Sequence, residues 1–327
     1  KAGLEWFRVF KGVKHHYKMQ ELYELSGLSK QALLKYRQRQ SYLDQVKTEV
    51  VDLCNAIRVD HKRMSCKRMY QKVKDKVSVG RDIFEQIGFA HGFRLNKKRN
   101  VHKTTWSQRI EVCPNLIEGL VLNRRNQLWQ SDIFYISVEG EPYYGVTIMD
   151  VYSRYLLALH ISSSLEAVEC KKALLRAINK RNGLPLNGCI FHTDQGSQYI
   201  SKMIKDLLAK VGMRRSMANL PQQNAYVERI QGTLKYEYLF EQKLVKNKLK
   251  IQCRKIMDLY NDERPHSELN MSTPSAFERL IENLPMEKRP KMEVYKWVTP
   301  LLTNNPVQIK REEKSKKNKP EAVILNS

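Results

Sequence analysis

The sequence predicts a multi-domain protein in which an α-helical N-terminal region precedes an α/β domain. Over roughly the first 90 residues, apolar residues recur at helical spacing, with Gly27 and Ser29 at a break between two such stretches. From about Gln127 the pattern changes to short runs of β-branched and aromatic residues separated by turn residues. With 327 residues, of which 42% are hydrophobic, the chain is long enough for two or three domains with proper cores.

The charge balance is strongly basic. There are 58 Lys and Arg residues against 34 Asp and Glu residues, which gives a formal net charge of +24. A surplus of this size indicates a polyanionic partner, most simply nucleic acid, because it creates a positive field around the protein. A soluble basic protein without such a partner is the alternative.

Cysteine usage bears on the compartment and on metal binding. The six cysteines are scattered along the chain and form no C-x-x-C pair, which favours reduced thiols over a disulfide framework or a zinc module. The sequence also shows no signal peptide and no apolar run of membrane length. We therefore expect a cytoplasmic protein without a zinc site.

The stretch MQELYELSGLSKQALLKYRQRQ predicts a first helix-turn-helix within residues 1–42. Leu22 and Leu25 form an apolar face, Gly27 allows a tight turn, and Ser29 is a suitable N-cap for the second helix. On that helix two leucines are expected to face inward, namely Leu33 and Leu34, and five polar residues to face outward, namely Lys30, Gln31, Lys35, Arg37 and Arg39.

The outward face of this second helix has the composition of a recognition helix. Basic groups can contact phosphates and amides can read base edges in a major groove, so we expect DNA contacts from Lys30, Gln31, Lys35 and Arg37. An ordinary amphipathic surface helix would have a similar pattern.

A second helical DNA-binding unit is predicted over residues 43–95. Its helices are MSCKRMYQKV, with Ser65 as a possible cap, and VGRDIFEQIGFAHGFRL, ending at Gly92. A plain helical hairpin is the alternative. Residues 96–125 are basic and aperiodic, which is typical of a linker.

The α/β domain is predicted over residues 126–283, including C-terminal helices. Its strands are LWQSDIFYISV, PYYGVTIMDV, RYLLALHIS, GCIFHTD and MRRSMA, and helices are expected at SLEAVECKKALLRAINKRNG, SKMIKDLLAKVG and NAYVERIQGTLKYEYLFEQ. Three antiparallel strands followed by helix, strand, helix, strand and helix is the element order of a ribonuclease-H-like fold. Residues 284–327 are expected to form a basic tail.

Three acidic residues stand out in this domain. Asp132 lies inside the first strand, where Asp is disfavoured, Asp194 ends the fourth strand, and Glu228 lies on the following helix. The first and fourth strands are neighbours in such a fold, so these carboxylates can converge. Converging carboxylates repel one another unless divalent cations compensate their charge. For Asp194 alone, an ordinary Asp-Gly-Ser turn is the alternative.

Several motifs together resemble a known family. They are WQSD, MDVYSRYLLAL, HTDQGSQY, NAYVERIQGTLK and YNDERPHSELNMSTPSAF. In this order, from about Trp129 to Phe277, they resemble the integrase core of bacterial insertion-sequence transposases of the DDE class, which are relatives of retroviral integrases. The helical N-terminal half also resembles these transposases, whose helix-turn-helix units bind the terminal inverted repeats of their element.

The resemblance implies a catalytic and metal-binding triad of Asp132, Asp194 and Glu228. It implies Mg²⁺ as the cofactor, with Mn²⁺ as a substitute and two ions per active site, which suits hard oxygen ligands. Asn224 and Lys235, four positions before and seven after Glu228, are expected to contact the DNA end, Lys235 at a phosphate and Asn224 by orienting the catalytic strand. An ordinary polar helix face is the alternative for both.

The implied activity is metal-dependent DNA cleavage and strand transfer. The implied partners are double-stranded DNA, both the terminal inverted repeats of the element and a target, and further copies of the chain in a homo-oligomer (dimer or higher) on the bacterial nucleoid. Two alternatives remain at this point. One is a catalytically silent, sequence-specific DNA-binding protein derived from a transposase, and the other is a ribonuclease-H-like nuclease that only hydrolyses.

Five other residues are expected to be structural. Asp150 begins a turn after the second strand, and Trp129 belongs to the core. His192 is expected to pack or to form a hydrogen bond, and Arg264 and His266 are expected to brace the C-terminal helix against the core.

Overall fold

The structure, a computed structural model, describes residues 19–95, 113–181 and 183–297. These residues form two compact units. The first contains the described residues up to Val59 and those from Ser65 to residue 95, and the second contains Asp60–Met64 and the described residues from Cys113 onward. Throughout these ranges no helix combines the length and the apolar character needed to cross a membrane.

The first unit is built from helices. They are α1 (Met19–Ser26), α2 (Lys30–Asp60), α3 (Cys66–Val73) and α4 (Arg81–Ala90). Between α1 and α2, Gly27 has a φ of +64°, and the Ser29 hydroxyl accepts a hydrogen bond from the Ala32 amide at 3.1 Å. The predicted turn and N-cap are therefore confirmed, because a left-handed residue and a serine cap are what this connection requires.

The length of α2 differs from the prediction. The helix has 31 residues and runs without a break through the boundary expected between residues 42 and 43, so the two predicted units are parts of one. No glycine or proline interrupts it, and buried Val46, Val50 and Cys54 continue its apolar stripe at every fourth position. Leu34, expected to face inward, is 44% exposed, whereas Leu33 is buried.

The second helical pair matches its predicted position but not one of its caps. Ser65 precedes α3, yet its side chain makes no capping hydrogen bond; its backbone carbonyl accepts from the Met69 amide at 2.9 Å instead. At the far end, α4 stops at Ala90 and Gly92 has a φ of +81°, as expected for a residue that ends a helix.

Strands of the second unit form two sheets. In chain order they are β1 (Val121–Leu122), β2 (Leu128–Val138), β3 (Glu141–Asp150), β4 (Leu156–Ser162), β5 (Ile190–Thr193), β6 (Arg214–Met217), β7 (Met292–Glu293) and β8 (Lys296–Trp297). The main sheet has the order β4-β3-β2-β5-β6. Its first three strands are antiparallel, and β5 and β6 run parallel to β2. This is the predicted ribonuclease-H-like arrangement.

Helices cover both faces of the main sheet. They are α5 (Ala167–Lys180), α6 (Ser197–Ile200), α7 (Lys202–Lys210), α8 (Ala225–Leu234), α9 (Leu249–Asp258) and α10 (Pro274–Glu282), with π-helical turns at Lys235–Leu239 and Leu259–Glu263. One core lies between the sheet and α5–α7 and contains Trp129 and Leu174. A second core lies on the opposite face beneath α8 and α9 and contains Phe134 and Ile230. Successive side chains of β2 point to opposite faces of the sheet, so alternate residues pack in different cores.

Phe134 occupies space that its neighbour on β3 leaves open. It pairs across the sheet with Gly145, and a Cβ atom added to Gly145 would lie 2.2 Å from the Phe134 ring. The ring can therefore lie across β3 only because residue 145 has no side chain.

The small sheet corrects two predicted boundaries. Its order is β1-β7-β8, so residues assigned to the linker 96–125 pair with residues assigned to the tail 284–327. Leu122 and Met292 are fully buried in a core that also contains Phe277 of α10. Strands of two residues show no alternation that a sequence could reveal. The remaining parts of the predicted linker and tail, residues 96–112 and 298–327, lie outside the described residues.

A buried cluster of charges joins α10 to the main sheet. The Arg181 guanidinium donates to both Glu278 oxygens, at 2.6 and 2.5 Å, and lies 3.6 Å from Asp150. Glu278 also accepts from the Ser153 hydroxyl at 2.6 Å. Each of these side chains is buried, so their charges are stable there only because they are paired and hydrogen-bonded.

Replacing Glu278 with Gln should destabilise the second unit by about 3 kcal/mol, because the buried Arg181 loses its bidentate carboxylate partner. Urea unfolding of the full chain, followed by tryptophan fluorescence, measures this loss. The control is Glu141→Gln, whose partner Lys246 lies 2.7 Å away on the surface and whose removal should barely change the unfolding midpoint. Equal shifts for the two variants would contradict a structural role for the buried cluster.

Candidate active site

Asp132 and Asp194 lie side by side where two parallel strands meet. The ladder between β2 and β5 ends with the pair Ser131 and Thr193, and each aspartate is the next residue of its strand. Because parallel strands keep their register, the two carboxylates lie at the same level of the sheet. The predicted convergence of these two acids is therefore confirmed.

The turn after Asp194 contains a glycine beside the carboxylate. The Gly196 amide donates a hydrogen bond to the Asp194 carboxylate at 3.1 Å. A Cβ atom at residue 196 would lie 3.0 Å from that carboxylate oxygen and 3.1 Å from the Gln198 amide oxygen. The absence of a side chain thus leaves room beside Asp194, which explains why this strand ends in Asp-Gln-Gly-Ser rather than in a bulkier turn.

Glu228 is held near the aspartates by a glutamine on β2. The buried Gln130 side chain accepts from the Val227 amide at 3.3 Å and donates to the Gln223 carbonyl at 3.0 Å. Since Val227 adjoins Glu228 in α8 and Gln130 lies two positions before Asp132, both bonds fix the helix of the third acid on the strand of the first. We call these two bonds the Gln130 clamp.

A second contact fixes the strand itself beside Asp132. The Asn224 amide donates to the Ser131 carbonyl at 3.2 Å, and the Ser131 and Tyr199 hydroxyls are 2.8 Å apart. Asn224 is only 3% exposed, which gives less support to the expectation that it contacts DNA directly. Its bond to Ser131 agrees with the other half of that expectation, in which it orients the catalytic strand.

The electrostatics of the site are dominated by crowded negative charge. The pKa of Asp132 is raised to about 7, first by burial and then by the neighbouring Asp194 carboxylate, with a smaller contribution from Glu228, while Lys235 acts in the opposite direction. Burial also raises the pKa of Asp194. Charging this pair in the absence of a compensating cation is therefore unfavourable.

Lys235 supplies positive charge next to these acids. It is the first residue of the π-helical turn that follows α8, and its ammonium lies 5.0 Å from the centroid of the Phe134 ring. Burial lowers the pKa of Lys235, and the Asp132 carboxylate acts in the opposite direction. Lys235 is thus placed between an aromatic ring and an acid. A lysine on an ordinary polar helix face would not need either neighbour.

The donors suit a divalent cation with hard oxygen ligands. The three acids provide carboxylate oxygens only, and a bound cation would relieve the repulsion that raises the pKa of Asp132. Glu228 is exposed at the rim of the site. Within the described ranges, no three His, Cys, Asp or Glu side chains are grouped closely enough to hold one ion.

The residues expected to be structural have the following contacts. The His192 ring lies 2.8 Å from the Ser216 hydroxyl, and burial lowers the pKa of His192 to about 4, so the ring is neutral. Arg264 donates twice to Glu237, at 2.8 Å each. Trp129 is fully buried. The expectations for His192 and Trp129 are confirmed, whereas Arg264 joins the segment after α9 to the turn after α8.

Asp150 and His266 act on local backbone. The Asp150 carboxylate accepts from the amides of Asn126, Tyr152 and Ser153, at 2.6, 3.1 and 3.2 Å. His266 accepts from the Glu268 amide at 3.3 Å and caps a short 3₁₀ turn. Both residues stabilise turns of the backbone, and Asp150 is part of the buried charge cluster rather than of the acidic site.

The predicted DNA-reading residues belong to the first unit, not to the unit that contains the acids. Lys30, Gln31 and Lys35 are exposed on the first turns of α2, whereas Arg37 is half-buried. Three of these four side chains are therefore accessible for a contact with DNA. Arg37 is less accessible, so the structure gives less support to its role.

Sequence reasoning missed the residues that hold the acids in place. Gln130 and Ser131 are polar residues inside a strand otherwise rich in β-formers, which is a signal that could have identified them. Tyr199 carries no such signal, because its bond to Ser131 joins residues far apart in the chain.

Two protein-family models match the part of the chain that contains this site. A family model described as an integrase core domain matches residues 123–220, and a second model with the same description matches residues 210–274. The first match contains Asp132 and Asp194, and the second contains Glu228. Together they cover the main sheet and its helices as far as α9.

Among solved structures, the chain is similar to the catalytic core domain of HTLV-2 integrase in complex with magnesium. The TM-score is 0.39 and the identity 20%, over 49% of this chain and 99% of that one. It is also similar to a chain of the simian T-cell lymphotropic virus intasome in complex with the PP2A regulatory subunit B56 gamma. There the TM-score is 0.41 and the identity 16%, over 75% of this chain and 76% of that one.

Similar sequences come from mobile elements of bacteria. The transposase for insertion sequence element IS904 of Lactococcus lactis is 34% identical over 51% of this chain and 67% of that protein. An uncharacterized 31 kDa protein of insertion element IS600 from Shigella sonnei is 30% identical over 62% of this chain and 75% of that protein. The chain therefore belongs to the transposases of bacterial insertion sequences, with an integrase core domain.

Proposed function

We propose that this transposase binds the terminal inverted repeats of its own element and catalyses DNA cleavage and strand transfer at Asp132, Asp194 and Glu228. One observation carries the proposal. Asp132 directly follows the last β2–β5 ladder pair and Asp194 directly follows β5, so the two aspartates lie at the same level, and the helix of the third acid is clamped to the strand of the first. Such a carboxylate set has no role in packing, but it suits phosphoryl transfer.

The three carboxylates would hold the divalent cations, with Mg²⁺ as the expected ion, Mn²⁺ as its substitute and two ions per site. When bound, such ions activate the attacking oxygen and neutralise the charge that develops on the leaving oxygen. The raised pKa of Asp132 supports this assignment, because a carboxyl group next to two others becomes a good ligand once their charge is compensated.

The reaction consists of two displacements at phosphorus. In the first, water attacks the phosphodiester at the element end, and the released strand carries a 3′-hydroxyl. In the second, that hydroxyl attacks a phosphodiester of the target, forms a new P–O bond and displaces the target 3′-oxygen. No covalent bond to the protein is needed, so the side chains contribute position and charge.

Lys235 and the Gln130 clamp have separate tasks in this scheme. The Lys235 ammonium is suited to hold a non-bridging phosphate oxygen beside Asp132. The Gln130 clamp keeps the Glu228 helix at a fixed place on β2, so the third acid stays near the other two.

Recognition of the DNA end is assigned to the first unit. The α1–turn–α2 arrangement, with Lys30, Gln31 and Lys35 exposed at the start of α2, is that of a helix-turn-helix. The net charge of +24 supports a large contribution from phosphate contacts. A homo-oligomer on DNA and a place on the bacterial nucleoid go with this function and stay predictions.

Two rival functions differ in their products. A catalytically silent DNA-binding protein would bind the end without cutting it, and this alternative is not favoured by relatives named as transposases. A nuclease that only hydrolyses would cut the end without joining it. An assay with a labelled end oligonucleotide and a supercoiled target separates all three by whether joined product forms.

Glu228→Gln tests the acidic triad. It keeps the size of the side chain and removes its charge, so end cleavage and strand joining with Mg²⁺ or Mn²⁺ should both fall by several orders of magnitude. Asp132→Asn and Asp194→Asn should behave alike. Binding to the end should remain, because it rests on the first unit.

Asp206→Asn is the matched control for the triad variants. Asp206 is exposed on α7 of the same unit and should tolerate the change without loss of joining. Near-normal joining by Glu228→Gln would rule out its assignment, and loss of end binding together with activity would indicate misfolding.

Gln130→Met tests the Gln130 clamp. The change keeps the volume but leaves the Val227 amide and the Gln223 carbonyl without their partner, which should cost about 1–3 kcal/mol of stability. End cleavage should fall about 10²-fold, because a small displacement of Glu228 misplaces a ligand. Urea unfolding and a cleavage time course measure the two effects.

Gln252→Met is the control for the clamp. Gln252 likewise accepts from one backbone amide, that of Val245 at 3.0 Å, and donates to one carbonyl, that of Lys243 at 2.8 Å. It should lower stability without a matching loss of cleavage. If both variants reduce cleavage in proportion to their loss of stability, the clamp has no special role.

Changing Gln31 and Lys35 together to Ala tests the recognition helix. The preference for the terminal repeat over random duplex should fall about tenfold or more, because base-edge contacts discriminate and phosphate contacts do not. The control changes Gln45 and Lys47, exposed farther along α2, to Ala. Fluorescence anisotropy at fixed salt measures binding, and equal losses on both DNAs would show that this helix is not the reader.

A further inference from the structure

A tyrosine occupies a strained turn at the end of the described chain. β7 and β8 form a hairpin whose turn residues are Val294 and Tyr295, and Tyr295 has a φ of +78°. Glycine or asparagine normally takes such a position, because a side chain there clashes with the backbone. A strained residue persists where its surroundings hold it in place, and such residues cluster at functional sites.

The hairpin is firmly attached to the second unit. Met292 is fully buried, Val294 is nearly so, and the Val294 amide donates to the Leu120 carbonyl at 2.9 Å. The Tyr152 hydroxyl donates to the Pro290 carbonyl at 2.8 Å just before β7. These contacts account for the attachment of the hairpin without any contribution from the side chain of Tyr295.

Tyr295 is the outer member of a stack of three side chains. Its ring lies parallel to that of Tyr226, with centroids 4.7 Å apart and an interplanar angle of 2°. The guanidinium of the buried Arg154 lies 4.3 Å from the centroid of Tyr226. The Tyr295 amide also donates a hydrogen bond to the Tyr226 hydroxyl. A cation and a ring therefore support Tyr295 from beneath.

This stack borders the acidic site. Tyr226 precedes Glu228 by two residues on α8, and Tyr295 lies close enough to interact with the Glu228 carboxylate and with the side chain of Gln130. Tyr226 covers one face of the Tyr295 ring, yet 48% of the residue remains exposed. A rigid aromatic ring exposed at the rim of a site for DNA strands has the features of a base-stacking platform.

We propose that Tyr295 is a nucleobase-stacking subsite, on which an unpaired base of the DNA strand next to the scissile phosphate is held. The inference rests on the proposed function of the acidic site and adds the strand-end subsite to it. Stacking tolerates any base, because every base has a π face, so Tyr295 positions the strand and leaves sequence recognition to other residues.

An abasic scan tests the platform. Duplexes of the terminal repeat carry one tetrahydrofuran residue at successive positions near the cleavage site, and cleavage is measured with the wild-type chain and with Tyr295→Gly. At the stacked position the lesion should slow the wild-type chain about tenfold and should slow Tyr295→Gly no further, because the same contact is already lost. Losses that multiply at every position would overturn the proposal.

Two variants separate the effect of the Tyr295 ring from the effect of its strained backbone. Tyr295→Gly suits the positive φ and should fold well, and Tyr295→Phe keeps the ring and should retain cleavage. Glu139→Gly is the matched control, since Glu139 is an exposed residue with a φ of +52° in the turn after β2. It should likewise relieve strain and leave the abasic profile unchanged.

Photocrosslinking detects the contact between Tyr295 and the base independently of catalysis. Terminal-repeat duplexes with 5-iodouracil at the stacked position should crosslink to Tyr295, as identified by mass spectrometry, and Tyr295→Gly should lose this product. Crosslinking at that position to other residues only would overturn the platform. If wild-type binding and cleavage are intact while this product is absent, the subsite alone fails. If the chain binds no terminal repeat, the proposed function fails together with the subsite.

Discussion

The pairing of β2 with β5 is the interaction on which the site depends. Ladder hydrogen bonds between these parallel strands hold two carboxylates, those of Asp132 and Asp194, at one level despite their repulsion. Parallel strands are stable when both faces are covered, and here helices cover both faces of the sheet with separate cores. The fold therefore supplies the energy that keeps the two acids together.

Polar contacts inside the second unit, which contains the acids, fall into two groups with different consequences. The opposite charges of Arg181 and Glu278 neutralise each other, so this pair needs no partner from outside the protein. In the acidic site, crowded carboxylates raise the pKa of Asp132, and among the described residues Lys235 acts in the opposite direction. The buried charge pair holds the unit together, whereas the acids of the site are partly or fully exposed and can contact a cation.

The sequence predicts what is encoded locally. Strand runs and the acids inside the motifs were found because β-forming runs and short motifs are properties of neighbouring residues. The small sheet, the length of α2 and the Gln130 clamp were missed, since each depends on partners far apart in the chain or on a helix that no residue interrupts. Tyr295 was missed for the same reason, because only the folded chain places it beside Glu228.

Gly145 connects the packing of the sheet to the charge of the site. The Phe134 ring lies across Gly145, and the Lys235 ammonium lies over the same ring. The absence of a Cβ atom at residue 145 on β3 therefore determines where the Lys235 ammonium is placed. Positions 134, 145 and 235 consequently form a unit that can change only in concert. A family member with a side chain at the position of Gly145 must carry a smaller residue in place of Phe134, and a lysine at the position of Lys235 then loses its aromatic support.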